Sequence, residues 1–329
     1  MARAWSLKAR PQGMPKHTDF AMIDLDTAAL GAGEVRIANR WLSVDPYMRG
    51  RMNDVKSYVP PFALSEAMQG GAVGEVVESN DDGIKVGDMV LHMAGWRDEA
   101  VVPAAQVQKL PALDVPAQAF LGQLGMPGMT GYFGLLQVAE AKAGDTVFVS
   151  AAAGAVGSTV VQVAKAKGMT VIGSAGGAEK CAWVKSLGAD AVIDYKGDVP
   201  VVKVLGEAAP KGIDVYFDNV GGEHLDAALA HANMHARFAV CGMIDVYNSG
   251  AATQLKYLAR LIGNRIQIRG FIVSDYMNRA EEFYKDMGGM LTAGTLKRQE
   301  TVHAGLETMP DAFLGLFSGG NTGKMLVKV

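Results

Sequence analysis

Two tyrosines and one run of small residues are where this sequence is equipped for chemistry. Tyr58 stands in Lys56-Ser57-Tyr58-Val59-Pro60-Pro61 and Tyr247 in Asp245-Val246-Tyr247-Asn248, both in loop-like segments. A phenol in such a place either donates a proton to a developing carbanion or enolate or packs half-buried with its hydroxyl on a partner. The small residues lie within Val147 to Gly168, VFVSAAAGAVGSTVVQVAKAKG. An apolar opening, a tight Ala/Gly cluster and a following helical period predict strand, turn and helix. That arrangement holds a pyrophosphate on backbone N–H groups. Laid on G-x-G-x-x-G, the slots read Ala152, Gly154 and Gly157, with Ala first. The rival reading is an ordinary strand-to-helix turn. Small residues filling Ala151 through Ala155 favour a dinucleotide site over Ala152, Ala153, Gly154, Ala155, Val156 and Gly157.

The kind of nucleotide follows from the next strand. A unit that binds NAD ends its second strand in Asp or Glu, about 20 residues past the glycines, to bond the ribose 2′-hydroxyl. Here that strand ends Gly173-Ser174-Ala175-Gly176-Gly177, with no acid. A carboxylate there would repel a 2′-phosphate. Its absence, with Lys180 shortly after, favours NADP(H), while Ser174 and the N–H of Gly176 offer further hydrogen bonds. Taken alone, Lys180 would read as a solvated helix cation.

The elements that position these residues fall into two blocks. At 329 residues the chain predicts two domains, and 49% hydrophobic with 20% charged residues is a globular composition. Short strands fill the first ~125 residues, including 35–43, 71–79 and 86–91, with glycines between them as in a small twisted barrel. From Gly128 the pattern becomes β/α alternation. Strands are predicted at 147–150, 170–174, 191–194, 215–219, 237–242 and 267–273, with helices at 130–139, 179–187 and 222–231. This predicts a parallel, doubly wound sheet. A helix over 304–315 and a strand over 324–329 return to the first domain and close its barrel. The expected domains are therefore 1–126, 127–296 and the return 297–329.

The net charge of −3, with no basic tract, argues against nucleic acid. The N-terminus has no continuous apolar stretch of the secretory kind, and nothing approaches a membrane span. Two cysteines far apart, Cys181 and Cys241, suit a reduced cytoplasmic setting.

The blocks SVDPYMRGRM, SYVPPF, LGMPGMTGYFGLL, VSAAAGAVGSTVVQVAKAKG, SAGGAEKC, FDNVGG, CGMIDVYN, GFIV and GGNTGK follow one another in order. In this the chain resembles the zinc-independent medium-chain dehydrogenase/reductases, and within them the NADPH-dependent alkenal/one oxidoreductases. That group takes in leukotriene B4 dehydrogenase/prostaglandin reductase, plant double-bond reductases and bacterial curcumin-reductase-like proteins. The resemblance implies a GroES-like β-barrel catalytic domain joined to a Rossmann domain, usually as a homodimer. It implies that Lys180 and Tyr195 lie at the 2′-phosphate. Asn219, Cys241, Gly242, Met243, Tyr247, Phe271, Ile272, Val273 and Asn321 are implied at the ribose and nicotinamide. Asn219 and Asn321, each beside glycines, read equally as turn-formers.

The wider superfamily includes zinc alcohol dehydrogenases, but no cysteine precedes residue 181, and where zinc members carry Gly-His-Glu this chain reads Met68-Gln69-Gly70-Gly71. His231 and His235, four apart on one predicted helix, lack partners, so no zinc is expected. A ketone is hard to reduce without a Lewis acid. A conjugated enone is easier: hydride enters at the β-carbon, the charge spreads onto an enolate oxygen, and hydrogen-bond donors stabilise it. Tyr247 and Tyr58 are the candidate catalytic donors, and Tyr47, Arg49 and Tyr58 the candidate substrate residues. Arg49 and Arg51 read equally as structural ion pairs. The expected activity is NADPH-dependent reduction of an enone or enal C=C bond. The alternatives are a quinone oxidoreductase and a non-catalytic NADPH-binding protein.

Overall fold

The computed structural model describes all residues except Thr27, Ala28 and Ala251. Along the chain the strands are β1 (Ala2–Leu7), β2 (Phe20–Leu25), β3 (Glu34–Ser43), β4 (Ala72–Ser79), β5 (Met89–His92), β6 (Glu99–Pro103) and β7 (Gln108–Lys109). Next come β8 (Thr146–Val149), β9 (Thr170–Ala175), β10 (Ala191–Asp194), β11 (Ile213–Asp218), β12 (Ala232–Val240) and β13 (Gln267–Gly270), then β14 (Glu300–Ala304) and β15 (Lys324–Lys328). They belong to two compact units: Met1–Gly122 with Glu300–Val329, and Gln123–Gln299.

The first unit is built on β3. This long strand alternates buried and partly exposed residues, and its register shifts twice against β4. Such irregularities bend a strand. Its first half pairs with β6 and its end with β15, so one strand serves both. The chain's tail adds β15 antiparallel to β3 and β14 parallel outside it. Ala304, expected to begin a helix, is instead the last residue of strand β14. Gly305, at φ 90°, breaks the run, and the helix starts at Met309. Around Trp96, Phe20 stacks at 5.9 Å and Phe313 packs edge-on at 5.9 Å, closing a buried aromatic core.

The second unit is a six-stranded parallel sheet in the order β10-β9-β8-β11-β12-β13. Its central strands carry the buried apolar runs Val147–Val149 and Val215–Phe217, as burial on both faces requires. Helices Ala155–Ala166, Ala178–Ser186, Val201–Ala208 and Gly222–His231 make the crossovers. The order reverses between β8 and β11, and open sheets of this kind bind ligands outside the carboxyl ends at such a switch point. The predicted helix at 130–139 is an α-helix over Met126–Phe133 that loosens into wider turns over Gly134–Val138. β12 begins five residues before the predicted strand, so His231 closes a helix while His235 lies in a strand at φ 62°. The two histidines therefore do not share a helix face, as the sequence spacing had predicted.

Candidate functional site

The turn after β8 has the geometry that small residues permit. Ala151 takes φ 48°, and Gly154 is extended immediately before the helix Ala155–Ala166. Ala152 N–H donates to the Ser174 carbonyl at 2.8 Å, tying the turn to the end of β9. A Cβ on Gly157 would lie 2.8 Å from Ala152 Cα, so the third slot needs glycine for the helix to approach the turn. The alanine in the first slot is explained across the sheet. A Cβ on Gly173 would lie 2.8 Å from the Ala152 methyl, so the neighbouring strand supplies the missing space. Ser174 Oγ is buried with no hydrogen-bond partner, an uncommon state for a hydroxyl and one suited to a polar ligand. The helix N-terminus, the close-packed glycines and this hydroxyl fit a dinucleotide.

The ends of β9 and β10 bring four side chains to one place. A Cβ on Gly176 would lie 2.8 Å from Tyr195 Oη and 3.0 Å from Lys196 Cε. Lys196 also acts electrostatically on Lys180: burial, then Lys196, lowers the Lys180 ammonium from its ordinary range, with Glu179 opposing. Two cations in electrostatic reach of one another give this end of the sheet a positive potential that suits an anion. Lys196 was not among the sequence candidates. Its signal was its place one residue past Tyr195, at the end of the strand paired with β9. The Asp194 carboxylate lies here too, but accepts the N–H groups of Gly177 at 2.8 Å and Lys196 at 3.0 Å. Beneath Tyr195 lies His224, another residue absent from the sequence candidates. The rings meet edge-on at 5.3 Å, and His224 stacks on Phe148 at 6.3 Å. Burial lowers the His224 imidazole to about 4, with Asp245 opposing.

At the carboxyl end of β11, Asp218 organises the next loop. One carboxylate oxygen accepts from Tyr216 Oη at 2.7 Å, Gly221 N at 2.8 Å, Val220 N at 2.9 Å and Ser150 Oγ at 3.2 Å. Burial raises this carboxyl above its usual range, and the donors pull it back. Asn219, lying just beyond the strand that was predicted to include it, gives its amide to the Ser150 carbonyl at 2.7 Å and accepts from Cys241 Sγ at 3.1 Å. Its side chain thus knits β8, β11 and β12 together. Burial raises the Cys241 thiol, which stays protonated. Tyr247 folds back over Gly242, where its hydroxyl oxygen accepts the Met243 N–H at 3.4 Å. Phe271 follows β13, its ring 6.3 Å from Phe217, and Ile272 and Val273 continue that half-buried loop.

In the first unit, Tyr47 heads the short helix Met48–Arg51. Its hydroxyl is buried without a partner, and burial, reinforced by Asp45, keeps the phenol protonated. Tyr58 is 60% exposed, and its hydroxyl is within electrostatic reach of Arg51 and Asp45. Arg49 is 3% exposed and donates to Asn53 Oδ1 at 2.7 Å and the Gly13 carbonyl at 2.9 Å. These bonds brace the segment. Arg51 likewise donates to the Pro60 carbonyl and Gln69 Oε1, its guanidinium 4.1 Å from the centre of the Phe62 ring. Asn321 donates to the Gly323 carbonyl at 2.8 Å, closing its own turn.

Among the described residues, no three His, Cys, Asp or Glu side chains are arranged to hold a metal ion, and no helix is long and apolar enough to cross a membrane. Family models match residues 3–110, as the N-terminal domain of oxidoreductase, and 155–291, as zinc-binding dehydrogenase. The chain is 41% identical over 337 residues to the NADPH-dependent curcumin reductase of Escherichia coli, covering 99% of this chain and 96% of that protein. It is 41% identical over 329 residues to the NADP(+)-dependent 2-alkenal reductase of Nicotiana tabacum, covering 98% and 96%. The crystal structure of CurA from Vibrio vulnificus in complex with NADPH superposes with a TM-score of 0.94 at 41% identity, covering 99% of each chain.

Proposed function

The chain belongs to the medium-chain dehydrogenase/reductase family, in its group of double-bond reductases, and from that premise we propose that it reduces the C=C bond of α,β-unsaturated ketones and aldehydes with NADPH. The observation that carries the reading is Tyr195 and Lys196 lying over Gly176, on a strand end with no acid and with Lys180 in electrostatic reach of Lys196, in a chain similar over its whole length to enone and enal reductases. Bound NADPH would supply the hydride that the β-carbon of a conjugated carbonyl accepts. Lys180 and Lys196 hold the 2′-phosphate, with Tyr195 against Gly176 as its floor. The N–H groups of the Ala152–Gly157 turn hold the pyrophosphate. Asn219, through Ser150 and Cys241, and the segments 241–247 and 271–273 shape the nicotinamide end, to which we also assign Asn321. We assign protonation at the α-carbon to Tyr247, with Tyr58 as the second candidate hydroxyl and Tyr47 beside the substrate.

A homodimer is part of this proposal. β13 ends the sheet with all four residues exposed, and exposed Leu258, Ile262 and Ile268 lie on or near it. An open parallel-sheet edge is an unprotected pairing surface that a second copy covers. A cytoplasmic setting is also proposed, supported by two thiols, neither in a disulfide.

The test follows NADPH absorbance with an enone, with a quinone and with no acceptor. NADPH consumption should require the enone and yield its saturated ketone. A protein that binds NADPH but oxidises it with no enone or enal overturns the reading.

A further inference from the structure

Among the described residues Lys324 is the most deeply buried cation, and the chemistry above leaves it unused. It is 2% exposed, and its ammonium donates to the Val44 carbonyl at 2.8 Å, Asp45 Oδ1 at 3.0 Å and the Met325 carbonyl at 2.9 Å. Three donors meet three acceptors, so the ammonium is saturated. Asp45, 7% exposed on its side chain, receives the Ser43 hydroxyl on its other oxygen. Burial lowers the lysine from its ordinary range, and Asp45 pulls it back up.

A buried pair of this kind is a poor source of stability. Desolvating both charges offsets their attraction, and apolar residues of similar volume are commonly as good or better. What the pair does supply is a fixed geometry, and its neighbours show what is fixed. Asp45 is the residue on which the Tyr47 turn is built, its carbonyl accepting Met48 N–H at 3.2 Å. Tyr47 follows two residues later with its buried, unpartnered hydroxyl, and Asp45 acts on it electrostatically. Lys324 follows Asn321 by three residues, at the close of a turn tied by Thr322 N–H to Thr301 Oγ1 at 3.0 Å. Val44 N–H to the Met325 carbonyl at 3.3 Å completes the junction.

We propose that Lys324 is a positioning residue: by bridging Asp45 and Val44 it sets the Tyr47 hydroxyl for the substrate and registers the Asn321 turn to the same segment. The proposal rests on the reductase reading, and its experiment separates the two. Lys324→Met and the double variant Asp45→Asn/Lys324→Met are compared with the unaltered enzyme in thermal stability, NADPH binding and steady-state kinetics with an enone. An unaltered enzyme that reduces no enone sinks the reductase reading itself. With that activity present, the double variant should fold with little change in melting temperature and still bind NADPH. Its kcat/KM for the enone should fall about 10- to 100-fold, the scale of an ångström of misplacement, with both kcat and KM affected. Unchanged kinetics in folded variants overturns the proposal. So does failure of the double variant to fold, because the pair would then serve the fold alone.

Discussion

Tyr195 lies so close over Gly176 that a Cβ on the glycine would stand 2.8 Å from the tyrosine hydroxyl oxygen, and Lys196 Cε would be 3.0 Å away. The absence of a side chain at 176 is what lets the tips of the Tyr195 and Lys196 side chains lie over the strand end. Gly176→Ala should therefore displace the Tyr195 ring and the Lys196 side chain, both exposed and able to shift, at little cost in stability. The expected outcome is weaker NADPH binding in a fluorescence titration. Binding equal to the unaltered protein would remove this contact from the cofactor site.

Charge reversal tests the two lysines directly. Lys180→Glu and Lys196→Glu should each lose a charge-assisted contact to the 2′-phosphate worth roughly 1.5–3 kcal/mol, or about 10- to 100-fold in Kd. NADH, which lacks that phosphate, should change far less. A parallel loss for both nucleotides would mean that the lysines act through the fold.

Tyr247→Phe keeps the ring over Gly242 and removes only the hydroxyl. If Tyr247 protonates the α-carbon, turnover of an enone should fall by about 10²- to 10⁴-fold with NADPH binding retained. Unaltered turnover would shift the assignment to Tyr58, for which Tyr58→Phe is the matching measurement.

His224 makes the fold sensitive to acid. Its imidazole is lowered to about 4 by burial, against about 6.5 in an unfolded chain. Its stabilising contribution is therefore complete above pH 6.5 and is lost as pH falls towards 4, because the unfolded state gains the proton first. The scale is about 1.4 kcal/mol per pH unit across that window. His92, also lowered to about 4 by burial and Arg97, adds to it. His224→Phe, which also removes a buried ring nitrogen without a partner, should flatten the fall of melting temperature between pH 6.5 and 4. An unchanged acid limb would contradict this account.

The edge strand β13 gives a prediction about assembly. Light scattering should find two chains per particle, and Ile268→Lys, on the exposed strand, should shift the mass to one chain. A monomer before substitution refutes the dimer.

The strand–turn–helix at 147–168 was legible because its signals are local. Apolar run, small residues and helical period all fall within one short segment, and nearby contacts decide them. The same holds for the β/α alternation and for the acid-free end of β9. Signals failed where a neighbour distant in the chain decides. Ala304 was expected to start a helix but is drawn into a sheet by its pairing with Lys328 of β15. His235 lies in β12 at an irregularity between Ala232 and Arg237, the residues that pair with β11 on either side of it.

By itself, then, the sequence determined a dinucleotide-binding parallel sheet, a preference for a phosphorylated ribose and the absence of zinc-ligand spacing. These depend on which residue types are present and how they repeat. Only the tertiary structure decided that Gly173 makes room for Ala152, that Lys196 joins Lys180, that His224 underlies Tyr195 and that Lys324 seals Asp45 into the core. Each of these relations joins residues from different strands or loops. Pairing across a sheet and burial of charge depend on register and packing, which no local spacing encodes.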